Sequence, residues 1–329
     1  MFGLTAFVTG ATGFVGSHVA RELHRQGWAV HVLARPTSSL DDVSDVPVTV
    51  HLGDVVDADS VRAAMPRGVD GVFHVAASTN LWSRNNDQQT RINIEGTRNL
   101  LSAAQVAGAK RFIHTSSFVS WGFQDDVITE DRPRTDATDW INYVRTKHVS
   151  EQMVLDVAAT GKVDAVVLNP GNVLGPGDRH NWSRLFRMVA RRSLPGAPPG
   201  GGNFCDVREV ARAHVQAWHD GGTGQRYLLG GEFASYLQVI ALAGELLSVP
   251  VPGRPTPAWI LAAVARAKGA LAAVSGREPD MTPEEAAIIT HNIRCDSGKA
   301  QRELKYRTVP LRDMVRDTID WMTGKGLLQ

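Results

Sequence analysis

The chain has 329 residues, 43% hydrophobic and 21% charged, with 35 Lys+Arg against 34 Asp+Glu. At roughly 150 residues per domain it holds about two domains, and it buries a core without disulfide or metal staples. A formal net charge of +1 removes the electrostatic case for nucleic-acid binding and weakens the case for binding anionic membrane by charge alone. Cys205 and Cys295 lie far apart and read as reduced thiols of a cytoplasmic protein. No signal peptide is visible at the N-terminus. The longest apolar run, 258–265, is interrupted by Arg266 and Lys268, so membrane insertion is not expected.

Elements follow in order. Leu4 to Thr9 is a compact apolar strand ending at a glycine-rich turn. Phe14 to Gln26 has helical spacing, with Val15, Val19 and Leu23 on one face and Gly27 as a stop. Strands are predicted at 29–34, 46–52, 71–76, 110–115 and 163–168, and helices at 61–65, 88–108 and 140–160. Alternation of near-continuous apolar strands with helices implies a doubly wound α/β fold, a parallel sheet covered on both faces. Beyond Pro170 the pattern breaks up. Residues 195–202 read as a Pro/Gly loop, 207–218 as a helix and 227–229 as a short strand. Residues 237–247 and 257–274 read as helices, the latter as a packed domain helix, with a pocket lid or a membrane-surface contact as the alternatives. The predicted division is a dinucleotide domain over 1–170, with segments of about 204–230 returning to it, and a smaller, mostly C-terminal α+β substrate domain over 171–329.

Residues 9–16 read Thr-Gly-Ala-Thr-Gly-Phe-Val-Gly between the first strand and first helix. Gly10, Gly13 and Gly16 allow a tight turn and bring backbone N–H groups close to a pyrophosphate at the positive end of the helix. Thr12, Phe14 and Val15 lie in the same turn. Arg35 follows the second strand, where an NAD site would place an acid for the ribose 2′-hydroxyl. A guanidinium suits a 2′-phosphate, so NADP(H) is favoured over NAD(H). Asp54, after the third strand, suits the adenine amino group.

Tyr143 and Lys147 are four residues apart, on one face of a helix. A phenol's ordinary pKa near 10 is too high for proton exchange at neutral pH, and a nearby ammonium lowers it. The fifth strand ends His114-Thr115-Ser116-Ser117, and in this fold ligands bind beyond the carboxyl ends of the strands. Ser117 is the candidate there, with Ser116 the alternative if the strand end shifts by one residue. His114 is expected to be a hydrogen-bonded structural histidine.

These residues together carry a resemblance. The chain resembles the extended short-chain dehydrogenases/reductases of the NAD-dependent epimerase/dehydratase superfamily, which have a Rossmann sheet. The motifs are the glycine loop, Gly53-Asp54, His74-Val75-Ala76-Ala77, Asn93-Ile94-Glu95-Gly96-Thr97, Ser117, Tyr143/Lys147 and residues 170–176. Arg35-Pro36-Thr37, Ala76-Ala77 and Asn80-Leu81-Trp82 are similar to the branch of dihydroflavonol 4-reductases and 3β-hydroxysteroid dehydrogenases. The resemblance implies that Ser117 orients a carbonyl, Tyr143 gives the proton, and Lys147 lowers the tyrosine pKa and holds the ribose. It makes Asn93 a structural or proton-relay residue. It adds Val55, Ala76, Ala77, Pro170, Asn172 and Val173 to the cofactor site, and implies a homodimer through the helices around 90–108 and 140–158.

The implied reaction is NADPH-dependent reduction of a ketone or aldehyde. Trp82, Phe118, Asn172, Trp182 and Phe204 are the substrate candidates, which suits an apolar or ring-bearing carbonyl compound. A nucleotide-sugar epimerase with tightly bound NAD is the alternative, with Arg184, Arg187, Arg191 and Arg192 as diphosphate contacts. Dehydratase chemistry is disfavoured, because Ser116-Ser117-Phe118 stands where an Asp–Glu pair is needed. A non-enzymatic dinucleotide sensor is a third reading, against which Tyr143, Lys147 and Ser117 speak. No metal-ligand spacing is present.

Overall fold

The structure, a computed structural model, describes residues 3–134 and 139–328. Strand β1 (Thr5–Thr9) leads through the glycine loop into helix α1 (Phe14–Arg25), then β2 (Ala29–Ala34), β3 (Val48–Leu52), α2 (Ala58–Ala64) and β4 (Gly71–His74). A long helix follows. Its first part, α3 (Asn86–Thr90), passes through one π turn at Arg91–Glu95 into α4 (Gly96–Ala107). Next come β5 (Arg111–Thr115), α5 (Asn142–Ala159) and β6 (Ala165–Pro170).

Six of these strands and one from much later in the chain form a seven-stranded parallel sheet. Its order is β3-β2-β1-β4-β5-β6-β9, with β9 at Arg226–Leu229. Because successive side chains point to opposite faces, β1 contributes to two cores. Ala6 and Val8 pack towards α1 and α7 (Val207–Asp220), while Phe7 packs towards α2, α4 and α5. Strand order reverses between β1 and β4, which opens a crevice at their carboxyl ends.

The remainder builds a smaller layer. In chain order it contains β7 (Asn172–Leu174), α6 (Trp182–Ala190), β8 (Gly201–Asp206), β10 (Phe233–Ser235), α8 (Tyr236–Leu247), α9 (Ala258–Ser275) and α10 (Pro283–Ile288). It ends with β11 (Asn292–Ile293), α11 (Gly298–Leu304) and α12 (Leu311–Gly324). Strand β8 is the hub, antiparallel to β10 and parallel to β7 and β11. The residues read as a loop at 195–202 therefore end inside a strand. Gly201 and Gly202 belong to β8, and glycine is required at 201 because a Cβ there would stand 2.5 Å from the Ala234 carbonyl oxygen.

Two expectations are corrected here. Helix α9 is not a packed domain helix, since only 17% of it is buried. Only Leu261, Ala265 and Ala272 turn fully inward, which leaves the other faces uncovered. Phe204 is a core residue of β8, fully buried among Leu174, Phe186, Val239 and Met314. Strand β8 is covered by helices of the smaller layer, so its apolar side chains are taken up by packing.

Candidate active site

The crevice is built first by the loop after β1. Gly10 adopts a left-handed φ of 75°, and a Cβ there would stand 2.6 Å from the Ala76 amide nitrogen. A Cβ at Gly16 would overlap the Gly10 carbonyl oxygen. Both glycines thus let α1 and the end of β4 close on the turn. Gly13 is exposed and caps α1 with no side-chain hydrogen bond, and the first turn holds no acidic residue. The first N–H groups of the helix, around Phe14 and Val15, are left for an external anion.

The floor of the crevice is a chain of buried hydrogen bonds. His74 Nδ1 lies 2.8 Å from Thr9 Oγ1, and its Nε2 lies 3.0 Å from Thr97 Oγ1. The Ala76 amide donates to Thr9 Oγ1, and Thr97 donates to the Asn93 carbonyl. Burial lowers the His74 pKa to about 3, so it bridges β1 and α4 as a neutral ring. His114, its neighbour on β5 at 5.3 Å between ring centroids, is also buried and held neutral. Neither of its ring nitrogens has a hydrogen-bond partner among the described residues, which corrects the expectation of a bonded histidine.

At the rim, Arg35 is exposed beyond β2, and its guanidinium makes no hydrogen bond or ion pair among the described residues. Asp54 is half-buried and accepts from the Val56 amide at 3.1 Å, with Val55 buried beside it. Ala76 and Ala77 are half-buried after β4. Together, the open helix end and the glycine cradle fit the pyrophosphate of a nicotinamide dinucleotide.

Helix α5 brings the candidate catalytic groups together. The Ser117 hydroxyl accepts from the Val119 amide at 3.4 Å and lies beside the Tyr143 phenol. Lys147 is buried one turn along and donates to the Thr115 carbonyl at 2.7 Å, which ties α5 to the end of β5. Burial is the larger influence on Tyr143 and raises its pKa, with Ser117 opposing. This departs from the expected lowering by Lys147, whose ammonium is turned to the Thr115 carbonyl. Burial lowers the Lys147 pKa to about 8, opposed by Glu151.

Asn93 sits in the π turn as a strut. Its Oδ1 accepts from the Ser78 amide at 2.7 Å, and its Nδ2 donates to the Ser78 carbonyl and to Thr146 Oγ1, each at 3.0 Å. Thr146 in turn donates to the Tyr143 carbonyl. Asn93 therefore fixes the loop after β4 to the Tyr143 turn of α5.

Sequence reasoning missed Glu151. Its fully buried carboxylate accepts from Ser116 Oγ at 2.6 Å, Ser120 Oγ at 2.9 Å and Asn169 Nδ2 at 2.8 Å. It also pairs with Arg134 and, at 2.9 Å, with Arg226. Asn169 donates onward to the Ser117 carbonyl. Glu151 thus pins the segment carrying Ser117 against the helix carrying Tyr143 and Lys147. Ser116 belongs to this network, which leaves Ser117 as the serine facing Tyr143. The signal available in the sequence was the spacing 143, 147, 151 along one helix face.

The substrate candidates divide. Phe118 clusters with Leu81 and Tyr143, and Asn172 Nδ2 stands beside Phe118 near Gly202. That amide nitrogen is buried without a partner among the described residues. Trp82 is half-buried under the Arg84 guanidinium. Trp182 instead packs on Phe204 and Tyr236 in the C-terminal core. Pro170 and Val173 lie on β6 and β7 at the carboxyl edge of the sheet.

A doubly wound sheet with a glycine turn at its switch point and a Ser, Tyr and Lys group beyond β5 defines the Rossmann-type short-chain dehydrogenase/reductase class. Within it, the chain belongs to the NAD dependent epimerase/dehydratase family, whose sequence model matches residues 6–230. It is therefore an NAD(P)-dependent oxidoreductase or epimerase of that family. It is 31% identical to the Synechocystis protein named "Putative dihydroflavonol 4-reductase" over 98% of this chain and 96% of that one. It is 29% identical to sterol demethylase protein B of Methylococcus capsulatus, over 99% and 100%. The crystal structure of gox2253 is similar at TM-score 0.83 and 32% identity, covering 99% of each chain. A nucleoside-diphosphate-sugar epimerase from Pseudomonas aeruginosa, at TM-score 0.79, 23% identity and 99% of each chain, shares the fold.

Proposed function

We propose that the protein is an NADP(H)-dependent oxidoreductase that reduces a ketone or aldehyde on an apolar or ring-bearing compound to an alcohol. The observation that carries this reading is the Ser117 hydroxyl set beside the Tyr143 phenol, with Lys147 buried one helical turn away. The pyrophosphate would rest on the Gly10–Gly16 turn, a 2′-phosphate on Arg35, the adenine near Asp54, and the nicotinamide ribose on Lys147. The bound dinucleotide supplies the hydride. Ser117 holds the carbonyl oxygen, and Tyr143 moves its phenolic proton to that oxygen as negative charge develops there. Phe118 and Trp82 offer apolar walls, and the unpartnered Asn172 amide offers one donor.

The epimerase reading needs cations free for a diphosphate. Arg184 donates to the Asp280 carbonyl and Arg187 to the Arg179 carbonyl, which engages two of the four arginines considered. Arg35 suits a 2′-phosphate that an NAD-bound epimerase would lack. Steady-state oxidation of NADPH across a panel of ketones and aldehydes tests the proposal. Turnover with aromatic or alicyclic carbonyls is expected. Tightly co-purifying NAD with epimerisation of a nucleotide sugar and no NADPH consumption would replace it.

A further inference from the structure

We infer that the outer face of helix α9 docks on the surface of an anionic lipid bilayer. The inference goes beyond the proposed reaction and rests on other residues. Helix α9 runs for 18 residues at a mean hydropathy of 1.4, yet only 17% of it is buried. At about 100° per residue, Leu261, Ala265 and Ala272 form the inward stripe. Trp259, Ala263, Ala270 and Val274 lie opposite, with Leu271 to one side. Trp259 is 73% exposed, Leu271 69% and Val274 89%, which gathers three of the most exposed large apolar side chains onto this one element. Contiguous apolar surface of this kind marks an interaction site.

Charge selects the occupant. The helix contains no Asp or Glu, and its charged residues are Arg266 and Lys268. Exposed Arg254 and Arg277 stand before and after it. Of the acids that follow it, Asp280 pairs with Lys268 at 2.7 Å, Glu278 accepts from Asn80 at 2.8 Å, Glu284 is buried and Glu285 is half-buried. A second copy related by a two-fold axis would set this cationic face against itself. A bilayer with anionic headgroups matches both features, taking the apolar face and its tryptophan at the interface and the cations at the headgroups. The net charge of the whole chain does not report the three exposed arginines here, Arg254, Arg266 and Arg277.

The helix is also fixed to the substrate side. Arg84 donates to the Ala273 carbonyl at 2.8 Å while its guanidinium covers Trp82, and Arg184 donates to the Asp280 carbonyl. Docking would therefore hold the 80–84 segment, one wall of the proposed pocket, at the lipid surface.

The test is flotation of the full chain with vesicles of phosphatidylcholine alone or mixed with phosphatidylglycerol. Wild-type protein is expected to float with the mixed vesicles and far less with the neutral ones. W259S/L271S/V274S should reduce partitioning at least ~tenfold, and R254Q/R266Q/R277Q should remove the preference for anionic vesicles. All six side chains are exposed, and the far-ultraviolet circular dichroism spectrum and thermal midpoint of each variant serve as the fold control. The inference is overturned if wild type does not float, or if the apolar variant floats as well as wild type. It is also overturned if the face proves to hold a second copy, shown by a dimer in light scattering that the apolar variant dissolves. None of these readouts requires turnover, so they stand or fall separately from the proposed reaction.

Discussion

The two ends of the sheet-bearing chain solve different problems with different kinds of residue. The first 170 residues hold the crevice with backbone and small side chains: glycines at 10 and 16, alanines at 76 and 77, and a neutral His74 bridging Thr9 and Thr97. The later half is organised around β8, a short strand flanked by β7, β10 and β11, and by aromatic packing of Trp182, Phe204 and Tyr236. A cofactor of fixed shape is served by rigid backbone geometry. A substrate pocket is shaped by side chains on short elements, where small sequence changes alter what fits.

The comparison can be broken by substitution. The largest effect is expected for Tyr143→Phe, which should lower NADPH-dependent turnover by about 10²–10⁴. Dinucleotide affinity, read by fluorescence titration, should stay within about twofold. Turnover unchanged in this variant would remove the phenol from the reaction. Glu151→Gln leaves Arg134 and Arg226 beside a neutral amide, and should destabilise the fold by about 3 kcal/mol in denaturant titration. A loss below about 0.5 kcal/mol would show that the buried carboxylate does not hold this region together. Phe204→Ala should cost about 3–5 kcal/mol as a core cavity and leave cofactor affinity intact, whereas a change confined to substrate KM would return Phe204 to the pocket.

Smaller effects probe the cofactor. Arg35→Ser should shrink the preference for NADPH over NADH by about tenfold, on the order of one charge-assisted contact. The pH dependence follows from Lys147, whose pKa is lowered to about 8. Below that value the ammonium is present to hold the ribose, and it is lost as pH rises through it. Dinucleotide affinity should therefore fall by a few-fold above pH 8 in wild type, and Lys147→Met should flatten that profile. A wild-type profile flat from pH 7 to about 9 would place Lys147 away from the cofactor.

Much of the first half was legible before the structure because each strand is a continuous apolar run followed by a helical period. The boundaries moved by one to three residues, as for β3 and α2, where the register of the ends depends on caps such as Asp57. The Ser117, Tyr143 and Lys147 group was legible from spacing and its place after β5. The partners of Glu151 were not, because Arg134, Asn169 and Arg226 come from segments that meet only once the sheet is assembled. Strands β7, β10 and β11 are three residues or fewer, too short for an alternating pattern to show. Strand β8 opens with two glycines that read as loop, and its pairing depends on Asn172, Phe233 and Asn292, all distant or unpatterned.

The central claim is that Ser117, Tyr143 and Lys147 face the reactive ring of a dinucleotide seated on the Gly10–Gly16 turn. A crystal structure with NADP⁺ bound measures this directly. The account predicts the 2′-phosphate against Arg35, the pyrophosphate at the start of α1, and the nicotinamide between Tyr143 and residues 170–173. A dinucleotide whose nicotinamide lies away from Tyr143, or a turn at 10–16 that holds no pyrophosphate, would contradict it.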